Sequence, residues 1–326
     1  MSNPLPSDPT DSIVREPPLG LDDLQQRYRV LAKLGSGGMA DVFLARQIGV
    51  ESFSRFAVIK RMRAQPDAQE ENTRMFFNEA RVVASLNHPH IVKVFDLGWV
   101  NKDISMAMEY LDGESLHYLH ADAKHREEHI PLPIILKMIA EAAEALNYAH
   151  SALGSDGKPL KLIHRDVGLQ NLLLTRSGYL KIIDFGVAKS SAQADVTTPG
   201  LVKGKIRYFA PETLTRKDVD GRADLYALGL VLFELVTLDQ AHPFPADATL
   251  AQVYERITTH VLPPVTEIRD DVPLALNEVI RKATRINRDE RYQTGGEFVE
   301  ALRDVARPLG GIASTSEVET WFRTTF

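Results

Sequence analysis

Between residues 28 and 110, short apolar runs alternate with breaks that are polar or contain glycine. Five of these runs have the length and composition of β-strands, and their sequences are YRVLAKL, DVFLA, FAVIKRM, IVKVFDLGWV and ISMAMEY. The segment RMFFNEARVVASL differs, because it places Phe77, Ala80, Val83 and Ala84 on one face of a helix. The pattern predicts a small lobe made of a five-stranded sheet and one helix.

From Pro131 onward the apolar residues follow helical spacing. Residues 132–151 place apolar side chains at intervals of three and four, which predicts a long amphipathic helix. Residues 221–236, GRADLYALGLVLFELV, are apolar on nearly every side, as is typical of a buried central helix. Two further amphipathic helices are predicted near 273–284 and 296–306. We therefore expect this half of the chain to form a larger, mainly helical lobe.

The last residues, STSEVETWFRTTF, also carry a helical signal. Ser316 and Glu319 have the spacing of a capping box, in which each side chain binds the backbone N–H of the other residue. A stripe on one helical face is formed by Val318, Trp321, Phe322 and Thr325. We expect a short amphipathic helix at this end of the chain.

Together these elements predict an α+β fold with two lobes. The first residues contain five prolines among Ser, Asp and Asn, a composition with too little apolar surface to order the chain. The predicted organisation is a disordered Pro-rich tail at 1–26, an N-terminal lobe at 27–110, a C-terminal lobe at 111–308 and an extension with the short helix at 309–326.

Composition narrows the class of protein. Apolar residues make up 44% of the 326 residues and charged residues 25%, which is ordinary for a globular protein. A net charge of −6 lacks the basic footprint of nucleic-acid binding, so we expect no nucleic-acid partner. The chain has no cysteine, which excludes disulfides and thiolate metal sites. No apolar stretch suits a signal peptide or a membrane span, so the sequence predicts a cytoplasmic protein.

The first candidate for chemistry is the stretch LGSGGMADVFLA. Gly35, Gly37 and Gly38 lie between two predicted strands, where backbone N–H groups can approach phosphate oxygens. Taken alone, these glycines favour a tight hairpin without a ligand. The strand on either side argues against a dinucleotide-binding fold, which needs a helix after the turn.

A lysine in the middle of an apolar strand is the second candidate. Lys60 in AVIKR loses hydration on burial unless it is paired. Glu79, in the predicted helix of the same lobe, is its natural partner. Alternatively, Lys60 is a surface lysine on an edge strand, and Glu79 is a solvated acid on the helix.

The third candidate is HRDVGLQN, residues 164–171, followed by LKIIDFGVAK. Asp166 could accept a proton, while Asn171 and Asp184 supply the oxygen ligands that Mg²⁺ prefers. Each could instead be a turn residue, since Asp, Asn and Gly are common in turns. That alternative is hard to sustain for all three residues at these spacings, after the glycine loop and Lys60.

In content and order, these motifs resemble the signature of the protein kinase superfamily. The resemblance covers residues 28–306 and is greatest to bacterial eukaryotic-type (Hanks-type) serine/threonine protein kinases of the myxobacterial kind. Each motif is weak alone, whereas the ordered set is specific. The matching positions are Gly35-x-Gly37, Lys60, Glu79, His164-Arg165-Asp166, Asn171, Asp184-Phe185-Gly186 and Ala210-Pro211-Glu212.

The resemblance implies a bilobal kinase fold, protein substrates, and ATP with Mg²⁺ as cofactors, with Mn²⁺ as a substitute for Mg²⁺. It implies that Asp166 takes the proton of the attacking hydroxyl and that Lys60, held by Glu79, binds the α- and β-phosphates. Asn171 and Asp184 would hold the metal ion. The nucleotide would be surrounded by Leu34, Gly35, Ser36, Gly37, Gly38, Met39, Ala40, Val42, Val58, Lys60, Met108, Glu109, Leu111 and Leu173.

Three positions depart from the family pattern. Val58 stands where the family usually has Ala, and Gly168 replaces the lysine of the catalytic loop. Lys205 replaces the threonine of the substrate-docking loop. Because one positive charge is lost and another gained, we expect the Lys205 ammonium to serve as a catalytic group beside the transferring phosphate.

The leading hypothesis is an active serine/threonine kinase that phosphorylates itself, with Thr197 and Thr198 as the best acceptors in its activation segment. Dimerisation for trans-autophosphorylation is compatible with it. The alternatives are a pseudokinase that acts as a nucleotide-dependent scaffold and a dual-specificity kinase. A small-molecule kinase is disfavoured by the Ala210-Pro211-Glu212 segment and the loop before it.

Overall fold

The computed structural model describes residues 24–36, 40–49, 54–62, 80, 82–100, 103–154, 156–185, 206–214, 219–238, 252, 255, 257, 259 and 262–326. The chain divides into two compact units. The N-terminal unit comprises residues 1–69 and 94–110, and the C-terminal unit comprises residues 70–93 and 111–326.

The N-terminal unit contains an antiparallel five-stranded sheet with the strand order β1-β2-β3-β5-β4. The strands are β1 Tyr28–Ser36, β2 Ala40–Ile48, β3 Ser54–Met62, β4 Val94–Val100 and β5 Asp103–Glu109. Each strand contains one of the five predicted apolar runs, or most of it, so these strand predictions are confirmed.

Side-chain alternation gives this sheet two different faces. One face is lined by small and apolar residues that form a buried core. The small side chains allow a short helix to approach the strands closely. The core residues are Leu24, Tyr28, Ala45, Ala57, Ile59 and Ala107.

That short helix is α1, Leu24–Arg27. The Leu24 side chain lies in the core and is only 1% exposed. Asp96 on β4 anchors the helix, because it accepts hydrogen bonds from Arg27 at 2.8 Å and from the Tyr28 hydroxyl at 2.5 Å. The fold therefore begins inside the segment 1–26 that was predicted as a tail. A single leucine gives no periodic signal, so the sequence pattern could not reveal this helix.

The C-terminal unit is mainly helical and has a small antiparallel sheet. Its described helices of four residues or more are α2 Leu116–Arg126, α3 Leu132–His150, α4 Pro211–Leu214, α5 Arg222–Thr237, α6 Ala275–Ala283, α7 Gly295–Ala306 and α8 Thr315–Thr325. Its strands are β6 Gly113–Ser115, β7 Leu172–Thr175 and β8 Leu180–Ile182. The predicted helices in this half are confirmed, and α5 is buried along nearly its whole length.

The segment before β4 belongs to the C-terminal unit, although the N-terminal lobe was predicted to span 27–110. The reason is local hydrogen bonding. The Val92 N–H donates to the Ile182 carbonyl oxygen at 2.9 Å, and the Ile182 N–H donates to the His90 carbonyl oxygen at 2.8 Å. Both bonds tie the segment to β8.

Part of the predicted helix RMFFNEARVVASL is described, since residues 80 and 82–85 are helical. Ala80 and Val83 are buried as predicted, whereas Ala84 is exposed. Phe77 lies outside the described residues.

The capping box of α8 differs from the predicted pair, Ser316 with Glu319. Ser314 is the cap: its backbone N–H donates to Glu317 at 2.7 Å, and its hydroxyl accepts from the Glu317 N–H at 3.3 Å. The sequence offers two overlapping Ser-x-x-Glu pairs, and tertiary packing selects the earlier one. A β-carbon on Gly178 would lie 2.4 Å from the Thr315 carbonyl oxygen, so the helix begins in close contact with the β7–β8 turn.

Candidate active site

The β7–β8 hairpin brings the two predicted metal ligands to one end. Asn171 directly precedes β7, and Asp184 follows β8 by two residues. Leu172 pairs with Ile182, and the Ile183 N–H donates to the Asn171 carbonyl at 2.9 Å. Antiparallel pairing therefore makes the two ligand-bearing segments neighbours.

Asn171 also holds the predicted proton acceptor. Its side-chain N–H₂ group donates to the carbonyl oxygen of Asp166 at 2.7 Å and to its carboxylate at 2.8 Å. Both residues are buried. Because the amide nitrogen is turned toward Asp166, the amide oxygen of Asn171 is the atom that could accept a metal ion.

The backbone before Asp166 is fixed by a buried acid on α5. Asp224 accepts hydrogen bonds from the N–H groups of His164 at 2.8 Å and Arg165 at 2.9 Å. It also pairs with the His150 ring at 2.8 Å. Burial acts to raise the pKa of Asp224, but the hydrogen bond and charge of His150 outweigh it, and the pKa is lowered. Asp224 therefore stays ionised and organises the loop.

Two residues of the site have left-handed backbone conformations that are uncommon outside glycine. Arg165 has φ 62°, and Asp184 has φ 58°. The bonds to Asp224 hold Arg165 in this conformation. Next to Asp184, the Phe185 ring packs on the His164 ring, with their centroids 4.7 Å apart. Such strain persists where the surrounding structure enforces it, often at functional sites.

In the N-terminal unit, the pairing of the strands places several residues that are predicted to bind the nucleotide on one face of the sheet. Val42 is paired with Lys60, and Val58 is paired with Met108. Since Val58 and Lys60 are two residues apart on β3, the four side chains share one face of the sheet. This face is opposite to the alanine-rich core described above. Gly35 is paired with Val42, and Leu34 is 53% exposed.

The other described nucleotide residues are distributed as follows. Ser36 and Ala40 lie where β1 ends and β2 begins, and Glu109 ends β5. Leu111 and Leu173 belong to the C-terminal unit, where Ser115 is paired with Leu173. Gly37, Gly38, Met39, Glu79 and Lys205 lie outside the described residues, as do Thr197 and Thr198, and their roles remain predictions.

Sequence reasoning missed a polar cluster beside the catalytic loop. The Tyr208 hydroxyl donates to Glu234 at 2.5 Å, and Arg207 forms an ion pair with Glu234 at 3.4 Å. Burial, together with the Glu234 carboxylate, raises the pKa of the Tyr208 hydroxyl. An acid in an otherwise apolar helix requires such partners, so Glu234 was the signal in the sequence.

The donor set fits a magnesium ion. Among the described residues, no group of three or more His, Asp or Glu side chains could hold a metal ion. Mg²⁺ is usually bound through one or two protein ligands, with water and phosphate oxygens completing its shell. A carboxylate from Asp184 and an amide oxygen from Asn171 meet that requirement.

Comparison with known proteins decides the family. The model of the protein kinase domain matches residues 28–300. The chain belongs to the protein kinase family. The resemblance inferred from the ordered motifs is thereby confirmed, and so is the α+β kinase fold, with its small antiparallel sheet and larger helical part.

Relatives of this kinase carry names from two specificity classes. It is 38% identical over 275 residues to the tyrosine-protein kinase MasK of Myxococcus xanthus. It is 32% identical over 296 residues to a probable serine/threonine-protein kinase of Clostridium perfringens. It is 33% identical over 280 residues to the serine/threonine-protein kinase PknB of Mycobacterium leprae. These matches cover 84%, 91% and 84% of the chain but only 42%, 41% and 42% of the relatives.

A solved structure shares the fold of this kinase. The PknI kinase domain of Mycobacterium tuberculosis matches with a TM-score of 0.65 and 30% identity. The match covers 86% of this chain and 96% of that one. Among the described residues of this kinase, no helix is both long and apolar enough to cross a bilayer.

Proposed function

We propose that this kinase transfers the γ-phosphate of ATP, with Mg²⁺, to serine and threonine hydroxyls of proteins. The observation that carries the proposal is the contact between Asn171 and Asp166 at the end of the β7–β8 hairpin, next to Asp184. A proton acceptor and two oxygen ligands for a metal ion are the groups that phosphoryl transfer to a hydroxyl needs.

The protein's own residues would act as follows. Asp166 orients the acceptor hydroxyl and takes its proton as the oxygen attacks the γ-phosphorus. Asn171 keeps the Asp166 carboxylate in place and, with Asp184, would hold Mg²⁺, which neutralises charge on the phosphates. The bond from the γ-phosphorus to the bridging oxygen breaks, and ADP leaves with that electron pair.

The sheet of the N-terminal unit would supply the nucleotide contacts. Lys60 would bind the α- and β-phosphates, and Val42, Val58 and Met108 would contact the adenine through the same face of the sheet. The shared face supports this assignment, because one ligand can then contact all four side chains.

Specificity for serine and threonine rests on the relatives. Two of the three described above are named serine/threonine kinases, whereas MasK is named a tyrosine kinase. The name of MasK supports a dual-specificity kinase as the other candidate function. A nucleotide-dependent scaffold without activity is opposed by the presence of Lys60, Asp166, Asn171 and Asp184. We also propose autophosphorylation, with Thr197 or Thr198 as acceptor.

The test incubates the whole chain with labelled ATP and Mg²⁺, and the Asp166→Asn variant is the control. The parent should become labelled and the variant should not. Acid hydrolysis of the labelled parent should yield phosphoserine or phosphothreonine. Equal labelling of both proteins would contradict an enzyme, and phosphotyrosine alone would contradict the serine/threonine assignment.

A further inference from the structure

Gly168 lacks a side chain for a reason other than backbone conformation. Its φ of −176° and ψ of 166° describe extended backbone, which any residue can adopt. The space next to its α-carbon is filled instead. A β-carbon there would lie 3.0 Å from both the Nε2 and the Oε1 of Gln170, and 3.0 Å from Cδ2 of Tyr208. A side chain at 168 would therefore begin in tight contact with the Gln170 amide.

Of the two neighbours of Gly168, the tyrosine is fixed. The Tyr208 hydroxyl donates to the buried Glu234 at 2.5 Å and accepts from the Leu169 N–H. Gln170 is only half-buried, and its amide makes no hydrogen bond to another described residue. A partly exposed amide that makes no hydrogen bond to the described protein can donate one to a ligand.

Two of the other side-chain donors of the loop, Asn171 and His164, have partners within the protein. Asn171 directs its amide nitrogen to Asp166. The Nε2 of the His164 ring lies 3.4 Å from the Ile183 carbonyl oxygen. Arg165 is exposed, and we expect its guanidinium to bind a phosphate on the activation segment. Gln170 is the remaining amide donor within four residues of Asp166.

We propose that Gln170 is a catalytic residue, whose Nε2–H, seated over Gly168, donates a hydrogen bond to a γ-phosphate oxygen during transfer. The inference rests on the proposed kinase function. Negative charge on the equatorial oxygens of the transferring phosphoryl group is stabilised by donors placed in advance. Glycine at 168 suits this arrangement, because the β-carbon of any larger residue would press on the amide and shift it.

The chemistry of the step is unchanged by Gln170. The acceptor oxygen bonds to the γ-phosphorus and its proton passes to Asp166. The bond to the bridging oxygen breaks and its electron pair leaves with ADP. Gln170 forms no covalent bond and exchanges no proton.

The experiment measures autophosphorylation of the dephosphorylated whole chain over a range of ATP concentrations. Gln170→Met keeps the length and packing of the side chain but removes the donor, and it should lower the maximal rate roughly tenfold or more, the scale of one lost bond to a charged group. The ATP concentration at half-maximal rate should stay within about twofold. Gln170→Lys, which restores a donor, should recover most of the rate.

A double-mutant cycle then tests whether the Gln170 amide depends on the space next to Gly168. Gly168→Ala should slow the parent, because the new methyl group displaces the amide. In the Gln170→Met background the same change should have little further effect, since neighbouring residues that act together are not additive. Equal effects in both backgrounds would overturn the proposed geometry.

The outcomes separate this inference from the proposed function. If the parent labels no faster than Asp166→Asn, the kinase function fails and the inference fails with it. If the parent is active and Gln170→Met matches it in rate, the inference alone is overturned. A loss in Lys205→Ala together with a normal Gln170→Met assigns the role to Lys205 and also overturns the inference. Thermal unfolding of each variant identifies a loss that comes from misfolding.

Discussion

Asn171 donates two hydrogen bonds to Asp166, one to its backbone carbonyl at 2.7 Å and one to its carboxylate at 2.8 Å. One amide thus fixes the predicted proton acceptor, and its oxygen is left as the atom that would bind the metal ion. We expect Asn171→Ala to lower kcat roughly a hundredfold or more, since it removes a positioning contact and a ligand together. The Mg²⁺ concentration at half-maximal rate should rise as well.

The matched control for this prediction is Asn277→Ala. Asn277 lies on α6, and its amide donates to the Thr266 hydroxyl at 2.9 Å. It has no proposed contact with substrate. Its replacement should leave both kinetic quantities unchanged. An Asn171→Ala enzyme with a normal Mg²⁺ requirement would contradict the metal assignment.

Lys60 and Asp184 are expected to be indispensable for phosphoryl transfer, because they would neutralise the phosphates directly and through the metal ion. We predict a loss of roughly a hundredfold or more in kcat/KM for Lys60→Met and for Asp184→Asn. Lys158→Met, at a lysine whose side chain is 82% exposed, is the control for loss of a positive charge. Near-normal turnover by either variant with intact folding would refute its assignment.

A buried ion pair between Arg291 and Glu212 holds the C-terminal unit together. Arg291 donates to both carboxylate oxygens at 2.7 and 2.9 Å and also binds the Ile286 carbonyl at 2.9 Å. Arg291→Met should lower the free energy of unfolding by about 3–5 kcal/mol, because it removes the guanidinium that compensates the charge of the buried Glu212 carboxylate. In urea titrations the double variant with Glu212→Leu should be more stable than Arg291→Met alone. The pair has no stabilising role if the single variant unfolds like the parent.

His88 should make stability depend on pH below neutrality. Burial, and secondly the neighbouring His90, lower the pKa of His88 below its ordinary 6.5. The ring stacks on Tyr148 with centroids 5.0 Å apart, and its Nδ1 accepts from the His90 N–H at 3.2 Å. Because the folded state favours the neutral ring, the contribution of His88 to stability is fully present above pH 6.5. This contribution is lost as the pH falls from 6.5 through the lowered pKa.

The measurement for His88 is the unfolding midpoint at pH 8 and pH 5.5, compared between the parent and His88→Phe. Phenylalanine keeps the stacking on Tyr148 but cannot be protonated. The parent should lose more stability than the variant on acidification. Identical pH profiles would show that His88 is not responsible.

Residues 1–22 should be dispensable, whereas Leu24 should not. Deletion up to residue 22 leaves α1 and its contacts intact. Leu24→Ala should destabilise the protein by about 2–5 kcal/mol, the usual cost of emptying a buried leucine site. Gln26→Ala, at an exposed position of the same helix, is the control. An unfolding free energy of Leu24→Ala equal to that of the control would exclude a core role for α1.

Much of the fold was predictable because it depends on local patterns. Short apolar runs bounded by breaks located all five strands of the N-terminal sheet. Helical spacing located α3, α6 and α7, and a segment apolar on nearly every side located α5. The ordered motifs around Lys60, Asp166 and Asp184 identified the family, because such a set rarely occurs by chance in the right order. Residue type and spacing were enough for these conclusions.

Other features required the tertiary structure because they depend on residues that are distant in the chain. The burial of Leu24 depends on alanines in β2, β3 and β5, and the start of α8 depends on its contact with the turn at Gly178. The sequence marked Gly168 as a missing lysine. The structure showed that Gln170 packs closely beside it, and so does Tyr208, which Glu234 holds in place from α5. A pattern along one segment cannot reveal which distant side chain occupies a space, since only packing brings the two together.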